Sequence, residues 1–213
     1  MGDLIQLATR RTVAVERATA PPRVTFFFDL ASPYTYLAAE RIDRRFAGAQ
    51  WRPAIGRRLD AGPLARGMVD TRELDAAERR ARELHMPLVW PERFPGAVPF
   101  AMRAAAYAAS RGRGPAFAIA VGRLAFCGGF DVEDPRMLAE AAAAAGLDVD
   151  ETLDAAEDPR RDRELEAAGR ALWVGGGGVL PAVRHGNGLF SGEQGVTAAM
   201  FALPAVVSAQ RGR

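Results

Sequence analysis

Val24-Thr25-Phe26-Phe27-Phe28-Asp29-Leu30-Ala31-Ser32-Pro33-Tyr34-Thr35-Tyr36-Leu37-Ala38 is the stretch that decides the fold. Its first part, from Val24 to Asp29, is aromatic and β-prone and too short for a helix, so it reads as a buried strand. Ser32 then stands as an N-cap with Pro33 at the first helical position. The helix predicted from there to Phe46 turns Tyr36, Leu37, Ile42 and Phe46 inward, and Gly48 ends it. Gln50-Trp51-Arg52, before Pro53, reads as a second strand. This β-α-β unit asks for a parallel pair and a right-handed crossover. It also delivers a small polar side chain, Ser32, to the first turn of a helix. There, unpaired N–H groups and the helix dipole favour an anion or a thiolate.

Working outward, residues 55–173 are rich in Ala, Arg and Glu and carry helix punctuation at intervals. Helices are predicted from Thr71 to Leu84, closed by Met86-Pro87, from Val98-Pro99 to Ser110, and from Pro115 to Phe126. Another runs from the cap Asp134-Pro135 to Gly146. Asp150 is expected to cap a short helix, and Asp158-Pro159 starts one ending near Trp173. Beyond Gly175–Gly178, Val179 to Arg184 reads as a strand. The turn Gly186-Asn187-Gly188 joins it to Leu189-Phe190-Ser191 as a hairpin. A last helix is predicted from Glu193 to Ala209, kinked or divided at Pro204. The order β-α-β, helices, β-β-α is that of an α/β thioredoxin-like fold with a large all-helical insertion.

Composition narrows the function classes. The 213 residues, 49% hydrophobic, suffice for one core with an insertion. All 28 basic residues are Arg, interleaved with 26 acidic ones to a net charge of +2. Clusters such as Arg79-Arg80-Arg82 and Arg160-Arg161-Arg163 therefore read as solvated helix faces, not a nucleic-acid footprint. Arg10, Arg11, Glu16 and Arg17 interrupt any apolar leader, and no window approaches a membrane span. The single Cys127 excludes an intramolecular disulfide and fits a reducing cytoplasm. It reads as a small buried hydrophobe, not a nucleophile. His85 and His185 lie too far apart to form a metal motif, so no metal ligand is assigned. Gly175–Gly178 lacks the Gly-Lys-Ser/Thr of a phosphate loop. Arg57-Arg58 reads as two solvated arginines, with carboxylate binding as the alternative.

Phe28-Asp29-Leu30-Ala31-Ser32-Pro33-Tyr34-Thr35-Tyr36-Leu37-Ala38 resembles the opening motif of 2-hydroxychromene-2-carboxylate isomerases and kappa-class glutathione transferases. These form part of the DsbA-like branch of the thioredoxin superfamily. The similarity extends through Trp51-Arg52-Pro53, Phe94-Pro95, Gly128-Gly129-Phe130-Asp131-Val132, Gly176 to Pro181 and Leu189-Phe190-Ser191-Gly192. Where the redox members carry Cys-x-x-Cys, this chain has Ser32-Pro33-Tyr34-Thr35, so disulfide exchange is excluded. The resemblance implies that Ser32 hydrogen-bonds the sulfur of bound glutathione and that Pro181 is cis, turning the backbone of Leu180 toward the cysteinyl part. It further implies that the start of the last helix, Gly192-Glu193-Gln194, meets the γ-glutamyl end. Tyr34 either lines the site or packs beside it.

A serine hydroxyl without a base is a poor nucleophile but a good donor to a thiolate. The chain departs from the family pattern at Gln194-Gly195, where an acidic residue and Arg are usual, and at Val179, where Gly is common. Residues 54–60 lack the family's Lys and Asn, and 95–100 lack its Asn. Each departure removes a polar contact to tripeptide or substrate.

The sequence thus implies an N-terminal extension over residues 1–21, a thioredoxin-like domain from 22–54 and 174–213, and a helical insertion over 55–173. The leading expectation is a cytoplasmic glutathione-dependent isomerase or transferase acting on a small molecule such as an aromatic or bicyclic acid. Ser32 would be catalytic, and Tyr34, Leu180, Pro181, Glu193 and Gln194 would hold the cofactor. Two other readings stand beside it: a non-catalytic protein binding a small thiol or peptide, and an enzyme using a different bacterial thiol. Homodimers are common in the family; no nucleic-acid or membrane partner is expected.

Overall fold

The protein is described from a computed structural model, which covers residues 23–56, 59–60, 67–68 and 70–204. The expected extension 1–21, Arg57-Arg58 and the stretch after Pro204 lie outside the described residues.

Strand β1 (Val24–Phe28) leads through the helix α1 (Pro33–Arg45) to β2 (Gln50–Pro53). β1 and β2 are parallel, with Phe27 opposite Arg52. After the helical section come β3 (Ala182–His185), β4 (Gly188–Ser191) and a last helix over Gly192–Ala202. The mixed sheet has the order β2-β1-β3-β4, with β3 antiparallel to β1 and Phe26 opposite Val183. Because strand side chains alternate, the three phenylalanines serve both faces. Phe26 and Phe28 stack at 5.7 Å with Trp51 edge-on to Phe26 at 4.8 Å, in the larger core with α1. Phe27 faces the other way, onto Ala54, Ala168, Leu172, Leu180 and Ala182. Each buried ring contributes about 1.5–3 kcal/mol.

Between β2 and β3 the described chain is helical. It forms α2 (Thr71–Glu83), α3 (Pro99–Ser110), α4 (Gly114–Phe126), α5 (Pro135–Ala145), α6 (Val149–Glu157), a 3-10 turn (Pro159–Arg161) and α7 (Asp162–Val174). The last helix, Gly192–Ala202, is α8. The caps are mostly those written in the sequence. Asp70 accepts from the N–H groups of Arg72 and Glu73, Asp134 from that of Arg136, and Gly146 closes α5 at φ 67°. No helix among the described residues is long and apolar enough to cross a membrane.

Three expectations change and one is sharpened. Asp148, not Asp150, caps α6 by accepting from Glu151 N. Asp150 falls inside the first turn, where its charge still complements the dipole. The strand expected from Val179 begins only at Ala182, since Pro181 has no N–H to donate to a ladder. Val179 forms instead an isolated parallel bridge with Asp60. The last helix, expected to be kinked or divided at Pro204, breaks at Ala202, because the residue before a proline is pushed out of the helical region; its expected continuation to Ala209 lies outside the described residues. Leu203 accordingly has φ −97° and ψ 144°. Cys127 is exposed rather than buried, since it follows the end of α4, and it lies 3.0 Å from the Tyr36 hydroxyl. That hydroxyl also donates to Pro87 O at 2.8 Å.

Candidate functional site

The strand-to-helix step places Ser32 at the N-cap of α1 in extended conformation (φ −88°, ψ 123°), yet its side chain makes no capping bond. The backbone closes the turn instead: Ser32 N donates to Asp29 O at 3.1 Å, and Thr35 N donates to Ser32 O at 3.0 Å. Ser32 is 0% exposed, and its hydroxyl has no hydrogen-bond partner among the described residues. Three residues upstream, the Asp29 carboxylate accepts from Ala31 N at 2.9 Å. Burial pushes that carboxyl from 3.8 up to about 6, a rise the Ala31 hydrogen bond only partly opposes.

Leu180–Pro181 is cis, as expected, and both residues are buried. Pro181 O accepts from Gly192 N at 2.8 Å, which fastens the first residue of α8 to the proline loop. The Leu180 backbone, expected to face the cysteinyl part of a ligand, is already engaged at its N–H, which donates to Asp60 O at 2.8 Å, while Asp60 N donates to Gly178 O at 2.5 Å. The chain thus lays its own backbone along the edge assigned to the cysteinyl unit.

Beside this edge opens a cavity of about 730 Å³, lined by Tyr34 of α1, Glu73 and Arg80 of α2, Leu180, and Glu193 and Gln194 of α8. Tyr34, Leu180, Glu193 and Gln194, all singled out from the sequence, therefore share one cavity. Ser32 and Pro181 do not line it; both are buried. Burial and the Glu73 carboxylate push the Tyr34 hydroxyl up to about 12, so it stays a neutral donor at any physiological pH. α2 forms one wall while burying only Ala77 and Ala81 of its own residues.

Glu193 is only 8% exposed at its side chain, and its carboxylate is already engaged. It pairs with Arg41 at 2.5 Å and Arg80 at 2.9 Å, and accepts from Thr197 Oγ1 at 3.3 Å. Both guanidiniums also donate to Thr197 Oγ1, at 2.7 and 2.9 Å. A carboxylate held between two arginines is neutralised and not free to take a ligand ammonium. Arg80, expected to be a solvated member of Arg79-Arg80-Arg82, ties α2 to α8 instead. Arg41, Thr197 and Asp60 carry no sequence signal, because nothing local separates a buried Arg or a backbone-bridging Asp from a solvated one. Gln194 is exposed at the open N-terminus of α8. Among the described residues no group of three His, Cys, Asp or Glu side chains could hold a metal.

Comparison with known proteins places this geometry in a family. No curated protein matches the chain. Among solved structures, a 2-hydroxychromene-2-carboxylate isomerase superposes with a TM-score of 0.63 at 17% identity, over 84% of this chain and 93% of its own. A "probable DsbA oxidoreductase" of Streptomyces coelicolor gives 0.65 at 23%, over 85% and 88%. The cytosolic disulfide reductase DsbM of Pseudomonas aeruginosa, in its structure with GSH, gives 0.56 at 19%, over 78% and 87%. At these identities the likeness establishes the fold alone. The model of the DSBA-like thioredoxin domain matches residues 23–177, and the chain belongs to that family.

Proposed function

We propose that this protein binds a low-molecular-weight thiol with the sulfur at Ser32 and uses it in a glutathione-type isomerase or transferase reaction on a small organic acid. The observation that carries this reading is the Ser32 hydroxyl: fully buried, unpartnered, and at the positive end of α1. A buried hydroxyl without a partner costs about 1–3 kcal/mol, so its retention calls for an acceptor that arrives from outside. A thiolate fits that role, because it accepts hydrogen bonds and benefits from the helix dipole. With Ser32 and Thr35 in place of a cysteine pair and only Cys127 elsewhere, the chain has no thiol of its own at this edge; the nearby Met102 sulfur is a thioether that accepts from Leu30 N.

When bound, the thiol supplies a sulfur nucleophile that can add to a conjugated double bond and leave again, permitting rotation without net oxidation. The chain's residues do the rest. Ser32 donates to the sulfur and holds it ionised. Tyr34 offers a neutral hydroxyl at the cavity wall, Gln194 and the first turn of α8 offer donors to a ligand carboxylate, and Arg79 gives the cavity a cationic group. Resemblance to a glutathione-using isomerase group and to a relative whose structure holds GSH supports this reading.

A different thiol is favoured over glutathione by one specific contact. The Asp60 carbonyl takes the Leu180 N–H to which a cysteinyl backbone would pair. A thiol that does not depend on that pairing suits the edge better.

The test is calorimetric titration of the protein with glutathione, L-cysteine and coenzyme A, with the ionisation of the bound thiol followed by ultraviolet absorbance. At least one thiol should bind with its ionisation shifted to lower pH. Ser32→Ala should keep the fold and weaken thiolate binding roughly tenfold or more. Absence of binding by all three thiols, or a bound thiol whose ionisation ignores Ser32→Ala, would remove Ser32 and the thiol from the mechanism.

A further inference from the structure

We propose that Thr35 is a second hydroxyl donor to the ligand sulfur, forming with Ser32 a two-pronged cradle at the N-terminus of α1. This rests on the thiol reading above and adds a residue to it. Thr35 is the third residue of α1, and side chains at the N-cap and third helical positions approach each other across the first turn. Both hydroxyls are buried, at 0% and 2% exposure, and neither has a hydrogen-bond partner among the described residues.

A buried helical threonine normally returns its hydroxyl to a carbonyl one turn back. Thr152, equally buried in the first turn of α6, does so, donating to Asp148 O at 2.6 Å. Thr35 stands one position earlier in its helix than Thr152, so the carbonyl four residues back belongs to Ala31, outside the helix, and the Thr35 hydroxyl takes no acceptor. Of the buried polar side chains Ser32, Thr35 and Thr152 among the described residues, Thr152 is satisfied, and the two orphans share a single helix terminus. Two O–H donors at one helix N-terminus suit a ligand atom that is all acceptor and carries charge. A thiolate sulfur is such an atom; an amine or a cation is not. The positions that would hold two sulfurs in a redox relative thus hold two hydroxyls for one external sulfur here.

The cradle gives Thr35→Val a signature that a structural threonine would not share. Valine keeps the shape and removes only the hydroxyl, so the ligand-free protein should be as stable as wild type or more so, because a buried orphan has been deleted. The same variant should weaken binding of the thiol identified by titration about ten- to a hundredfold and shift ionisation of the bound thiol to higher pH. Thr35→Ser, which keeps the hydroxyl, should bind as wild type does. Measurements are calorimetry and thiolate absorbance with glutathione, L-cysteine and coenzyme A, and denaturant unfolding without ligand. If the thiol binds in a Ser32-dependent way but Thr35→Val binds it unchanged, the inference fails and the thiol reading survives. A Thr35→Val protein destabilised without ligand would assign the hydroxyl a structural role and also overturn the inference. If wild type binds none of the three thiols, the thiol reading falls and the inference with it.

Discussion

Asp29→Asn isolates the energetics of the strand end that feeds the site. The Asp29 carboxyl is raised by burial from 3.8 to about 6. In the folded protein it therefore keeps its proton to a higher pH than in the unfolded chain. Below pH 3.8 both states are protonated and no penalty exists. Between about 4 and 6 the unfolded state ionises while the folded state does not, so stability falls by close to 1.4 kcal/mol per pH unit. Above 6 the full penalty, about 3 kcal/mol, is present and constant.

Asparagine is nearly isosteric, cannot ionise, and retains an oxygen for the Ala31 N–H. Denaturant unfolding of wild type and Asp29→Asn from pH 3.5 to 8 should show equal stability at the acid end. The variant should then gain steadily between pH 4 and 6 and hold a plateau of about 1–3 kcal/mol above that. The difference between the two curves is the readout, since other carboxylates titrate in both proteins. A variant less stable than wild type at pH 8, or a difference that does not depend on pH, would refute the burial argument.

Glu193→Gln removes the charge that reconciles Arg41 and Arg80, leaving two partly buried guanidiniums facing each other; a loss of about 2–4 kcal/mol in denaturant unfolding is expected, and a loss under about 0.5 kcal/mol would show the triad to be dispensable. Gly169→Ala would ordinarily strengthen a helix by up to about 1 kcal/mol. Here the new methyl would stand 2.1 Å from the Ile55 carbonyl oxygen, so α7 must shift and the variant should lose about 1–3 kcal/mol in thermal unfolding. A more stable Gly169→Ala protein would mean that α7 does not pack this closely on the segment after β2.

Much of this protein was legible in the chain because it is written in local chemistry. Phe26-Phe27-Phe28 alternates across the sheet, Ser32-Pro33 starts a helix, Asp134 caps one, and Gly146 ends it, each through contacts within a few residues. The thioredoxin-like order followed from those pieces. The cap at Asp148 was missed by two residues, because neighbouring acidic residues offer competing signals.

What only the tertiary structure decided depends on partners far apart in sequence. Arg41 meets Glu193 across 152 positions and Arg80 meets it across 113, turning a residue expected to greet a ligand into a latch between helices. The Asp60 carbonyl reaches Leu180 and occupies the edge that the motif assigned to a peptide. Sequence could place Ser32 and Thr35 on one turn of helix. Whether their hydroxyls find an acceptor is set by what packs around them, and burial without an acceptor exists only once the chain has folded.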